Sequence, residues 1–110
     1  SATATGAASV VTPATLTASV NDYDPGAGEI VRLSANAAWS ITGLAAGASG
    51  ARRLLVNVDA FDIKLTSQDA LSAAANRLLT QGGGDVVLPP DFAADCFYDA
   101  TTTRWRVFAR

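Results

Sequence analysis

The chemistry open to this 110-residue chain is narrow: ten carboxylates, eight basic side chains, one thiol and no histidine. Without imidazole there is no Ser-His-Asp or Cys-His nucleophile, no His-ligated zinc and no imidazole acid–base work. Cys96 has no second cysteine to pair with, and within "FAADCFY" it reads as a small buried hydrophobe rather than a reactive thiol. The carboxylates gather in two places. Asp22, Asp24 and Glu29 surround the Pro-Gly turn of "NDYDPGAGE", an oxygen-rich setting of the kind calcium takes. The spacing is not that of a twelve-residue EF-hand loop, and turns select Asp and Asn for backbone reasons, so no metal is expected. Asp59 and Asp62 have the residue types of a glycosidase acid–base pair, but Asp59-Ala60-Phe61-Asp62 reads as a tight turn between strands. The expectation is therefore no enzyme, no catalytic residues and no cofactor.

Composition narrows the partners. A net charge of −2 with a pI near 4.7 gives no basic footprint for a phosphate backbone, although Arg104, Arg106 and Arg110 share one segment. No run of about 18 apolar residues is present to span a bilayer, and no basic-then-apolar leader opens the chain. Neither nucleic acid nor membrane is expected. Hydrophobic residues make up 49%, but 23 of them are alanine, which leaves enough large side chains for one modest core. The chain opens at Ser1, as a processed protein or an excised fragment would.

The elements that must position these residues are mainly strands. Residues 1–14, "SATATGAASVVTPA", are small and uncharged and read as an arm or linker held by a neighbouring molecule; residues 15–110 form the domain. "TLTASVN", "GEIVRLS", "AAWSITGL", "RRLLVNV" and "FDIKL" alternate or run apolar as short strands do, and "DVVLPP" is a strand stopped by Pro89 and Pro90. "DCFYDATTTRWRVF" reads as a hairpin. Only "SQDALSAAA", Ser67 to Ala75, has helical character, with Ser67 as N-cap and Asp69 in the first turn; it is too short to serve as more than a connector. Eight or nine short strands with one helical connector predict an all-β fold, a small antiparallel β-sandwich or jelly-roll-like domain.

The succession "RLLVNV…FDIKLTSQ…SAAANRLL…GGDVVLPP…FYDATTTRWRV" resembles a module of tailed-bacteriophage virion proteins, found in tail fibres and head-decoration proteins. The resemblance spans about residues 30 to 108 and rests on Asn57, Asn76, Arg77, Gly84, Asp85, Tyr98, Asp99, Arg104 and Trp105. It implies a small β-sandwich, assembly as a homotrimer and no enzymatic activity. From the residues themselves, Tyr98 and Trp105 read as packing partners across the hairpin on the core face. Asn76-Arg77 reads either as a connector clamp, with Arg77 pairing to Asp85 or Asp99, or as an exposed pair of little consequence. Leu54-Leu55-Val56, Leu78-Leu79, Val86-Val87-Leu88 and Val107-Phe108 put apolar side chains on both faces of their strands, so a second subunit is expected to cover one of them. The resulting expectation is a capsid decoration (cement) protein in the virion, made in the host cytoplasm, meeting the major capsid protein or another virion protein through residues 1–14. The alternative is a tail-fibre or receptor-binding domain, for which Tyr23 and Trp39 are the aromatics free to meet a host glycan.

Overall fold

In the computed structural model, residues 7–109 are described. Nine strands form two sheets: β1 (Val10–Val11), β2 (Ile30–Leu33), β3 (Trp39–Ile41), β4 (Arg52–Asn57), β5 (Ile63–Leu65), β6 (Leu78–Thr80), β7 (Val86–Leu88), β8 (Ala93–Asp99) and β9 (Arg104–Ala109). The larger sheet has the order β1-β2-β4-β8-β9-β6, and the smaller β3-β5-β7. Inward residues of both, including Val31, Leu33, Ile41, Leu55, Ile63 and Leu65, meet in a single core.

The fold is mostly β, as the alternation predicts, but its winding is solenoid-like and not clearly that of a jelly roll. β1, β2 and β4 pair in parallel, as do β3 and β5. Ile30 pairs with Val10, 20 residues earlier, and Leu54 with Ile30, 24 residues earlier. Isolated parallel bridges Leu16–Ala35, Val20–Ile41 and Tyr23–Leu44 continue the stacking around each turn. The chain thus makes three successive circuits, each passing from the large sheet to the small. "TLTASVN" enters as those bridges, not as a strand. After β5 the winding changes: β6 runs in the sense of β4 at the far edge of the large sheet, parallel to β9, while β7 and β8 run antiparallel to β5 and β4 and β9 antiparallel to β8. An all-antiparallel sandwich was the wrong expectation for the first three circuits, because alternation with period 2 is the same in parallel and antiparallel strands.

Two further expectations change. Ser67 to Ala75 contains no α-helix; a 3-10 turn at Ala74–Asn76 overlaps its end. Ser67 caps nothing helical: it bridges Leu78 in parallel, and its N–H donates to Asp85 Oδ1 at 2.9 Å. Asp69 instead accepts from the Leu71 N–H and the Thr66 hydroxyl, closing a local turn that competes with helix. Of the expected arm, residues 1–6 lie outside the described residues, whereas Val10–Val11 form the sheet's edge strand and Val11 packs against the core.

Candidate functional site

The residues singled out from sequence fall into three constellations. The first is the β8–β9 hairpin. Tyr98 and Trp105 are direct cross-strand partners, with ring centroids 5.3 Å apart at 71°, an edge-to-face pair. Both are buried, and both polar ends are satisfied. The Tyr98 hydroxyl donates to the Ala75 carbonyl at 2.9 Å, and Trp105 Nε1–H donates to the Leu44 carbonyl at 3.1 Å. The hairpin is thereby tied to the connector and to the second circuit. Asp99 and Arg104 face each other in register, yet the ion pair of Asp99 is with Arg106, Oδ2 to Nε 3.2 Å. Arg104 Nε donates instead to Gln68 Oε1 at 2.7 Å.

The second is a polar knot where the connector meets the first two circuits. Asn76 Oδ1 accepts the Ala46 N–H and its Nδ2 donates to Asp22 Oδ1, both at 2.9 Å. Asp22 Oδ1 also accepts the Ala73 N–H at 2.7 Å, and these hydrogen bonds, from Asn76 first and then Ala73, hold its carboxyl below the ordinary value of 3.8. Ser72 Oγ accepts the Asp22 N–H and shares a 2.7 Å hydrogen bond with the Thr42 hydroxyl. Gly43 lies against this knot: a Cβ there would sit 2.5 Å from Ser72 Oγ and 2.6 Å from the Asn76 carbonyl. Arg77 joins by donating Nε–H to the Ser72 carbonyl at 3.0 Å, and so pairs with neither Asp85 nor Asp99. Asp22, Thr42, Gly43 and Ser72 were not legible as one cluster. The glycine inside the apolar "ITGL" was the available signal of close backbone approach.

The third is a corner built on Asn57, whose side chain is fully buried. Nδ2 donates to the carbonyls of Phe61 at 2.7 Å and Leu88 at 2.8 Å, while Oδ1 accepts the Asp59 N–H at 3.0 Å. Its backbone N–H donates to the Phe92 carbonyl and its carbonyl accepts from Asp91. One amide therefore ties together the β4–β5 turn, β7 and the start of β8. Phe61, in a period-2 triplet with Ile63 and Leu65, is 45% exposed because this turn lifts it out of the alternation.

Gly84 and Asp85 sit beyond these groups. The left-handed backbone of the "QGGGD" turn falls on Gly82 (φ 78°) and Gly83 (φ 82°), and a Cβ on Gly84 would meet nothing. The Gly84 carbonyl accepts from the Thr80 hydroxyl.

The residues with other chemical potential are engaged locally. Asp24 Oδ1 accepts the Gly26 N–H in an Asx-turn, and Asp59 accepts from Ala35 and Ala60. Among the described residues no three His, Cys, Asp or Glu side chains converge on a metal-sized site. Burial first, and Asp95 second, push the Cys96 thiol up to about 12. Trp39 is half-buried against the core with Nε1–H on Asn36 Oδ1 at 2.7 Å; beside Ser40, Asp62, Lys64 and Val87 it lines a shallow surface depression. Tyr23 also packs on the core, with its hydroxyl buried and without a hydrogen-bond partner among the described residues. Among the described residues no helix is long and apolar enough to cross a membrane. No protein-family model, curated protein or solved structure matches the chain.

Proposed function

We propose that the chain is a non-enzymatic structural protein of a tailed-phage virion, a capsid decoration protein that assembles as a homotrimer and meets the capsid through residues 1–14. One observation supports this reading above the others. Asn57, Asn76, Tyr98 and Trp105, among the residues that carry the resemblance, each direct a polar atom to a backbone group of a segment distant in sequence. Side chains engaged in this way hold a fold together and are not presented to a substrate. Two sheets around one core are compatible with the sandwich that the resemblance implies.

The solenoid-like winding favours the second reading, a tail-fibre module, because stacked parallel circuits extend naturally into a shaft. Gold-labelled antibody against the protein, applied to purified phage particles, separates the two. Label on the heads is the expected result; label on the tail transfers the protein to the fibre reading. Particles free of label, from a lysate that contains the protein, would overturn both.

A further inference from the structure

We propose that the outer face of the six-stranded sheet of one copy docks on the Asn57 corner of the next, so that the chain associates head to tail. The inference rests on the trimer reading above and gives it an interface.

The sheet face carries apolar side chains along its middle, with one carboxylate, Asp95, among them, and arginines on either side, of which Arg106 is paired with Asp99. Successive outward positions of β4 are Arg52, Leu54 and Val56. In register, Leu54 lies beside Ile30 and Asp95, and Asp95 beside Phe108. Arg52 lies beside Phe97, which stands next to Arg106, and Val56 lies beside Arg32. Phe97 and Phe108 stack at 6.2 Å between the rows. Parallel strands such as β2 and β4 are ordinarily covered on both faces. Among the described residues, Ile30, Leu54 and Val56 have the core behind them and no strand of either sheet in front.

The corner is the complementary surface. Asn57 gathers Phe61 and Phe92 beside Val58, and the three are 45%, 52% and 39% exposed. Asp59, Asp62 and Asp91 supply its charge, and residues 57–63 and 89–92 contain no Lys or Arg. An apolar patch bordered by arginines and an apolar patch bordered by carboxylates fit each other better than either fits itself, since like charges facing each other oppose contact. Two different patches make a heterologous contact, which repeats as a ring where its rotation closes and as a filament where it does not, whereas a face packed on itself gives twofold pairs. A ring is the arrangement compatible with three copies.

Light scattering on the full chain tests this, with circular dichroism and melting temperature to establish that each variant is folded. The variants are Phe97→Glu on the face and Phe61→Lys/Phe92→Lys on the corner. Phe108→Glu, at a 40% exposed position, takes the place of Phe97→Glu if that variant does not fold. The expected result is wild type at three times the chain mass of 11.2 kDa, and each folded variant at the monomer mass. A corner variant that stays trimeric while the face variant dissociates would mean that the face meets a surface other than the corner. That would overturn the face-to-corner contact and leave the trimer standing. Trimers unaffected by either variant would overturn the interface, and a monomeric wild type would overturn both the interface and the trimer.

Discussion

Trp105 fills the centre of the molecule and donates to a carbonyl of another circuit, so its removal both opens a cavity and orphans a buried acceptor. Trp105→Ala is expected to cost about 3–5 kcal/mol, read from the urea midpoint at unchanged slope. Asn57 matters for a different reason. Asn57→Leu would keep the approximate volume but strip the Phe61 and Leu88 carbonyls and the Asp59 N–H of their partner. Of these only the Leu88 carbonyl lies in a buried hydrogen bond, so the loss is expected to be about 1–3 kcal/mol in the same measurement. Asp22 carries a dependence on pH. Its folded carboxyl is held below 3.8 by Asn76 and Ala73, and Asp69 is held low by the Leu71 N–H and the Thr66 hydroxyl. A depressed carboxyl stabilises the fold above its unfolded value and loses that contribution as pH falls through the folded one. The melting temperature should therefore be level from neutrality to about pH 5 and fall once the pH drops below 3.8, with a shallower fall in Asp22→Asn. An identical acid limb in that variant would show that the knot contributes nothing to acid sensitivity.

At the level of elements, the sequence was informative wherever side chains alternate against one core. β4, β5, β7 and the β8–β9 hairpin lie where "RRLLVNV", "FDIKL", "DVVLPP" and "DCFYDATTTRWRVF" place them, and Tyr98 meets Trp105 across the hairpin. What alternation does not encode is the direction of the neighbouring strand, so the parallel circuits were illegible. The alanines of "SAAA" suggested helix by propensity, but Asp69, Ser72 and Asn76 use their side chains to bond turn backbone instead. Val10–Val11 were lost in a run of small residues whose pairing depends on Ile30–Val31, some twenty positions on. The site residues followed the same rule. Tyr98 and Trp105 were legible as core-face packing partners across the hairpin, whereas Asn57 entered only through the resemblance, and the partners of Arg77 depended on a chain path that no local pattern reveals. Gly43 tests how tightly the circuits are tied. Gly43→Ala places a methyl inside the contact distance of Ser72 and Asn76, and about 1–3 kcal/mol of destabilisation is expected in thermal or urea melts. A neutral result would mean that the connector can move away.

For the molecule as a whole, deletion of residues 1–14 removes β1, uncovers β2 and takes Val11 from the core. The truncated chain is expected to melt several degrees lower than the full chain, as a loss of about 1 kcal/mol or more does in a domain of this size. An unchanged melting temperature would make that segment an appendage. The order of strands in the large sheet carries a separate consequence. β9, the last of the nine in sequence, is not at an edge: it lies between β8 and β6, with Trp105 and Val107 facing the core. On the ribosome, residues up to Asp99 emerge with a gap in the middle of their sheet, and β6 has no neighbour until Arg104–Ala109 arrive. Most pairings here join residues twenty or more positions apart, a topology that folds slowly. The large sheet should therefore be complete, and fully resistant to protease, only once Arg104–Ala109 have emerged, and nascent chains stalled before Trp105 should be degraded more readily than those stalled after it.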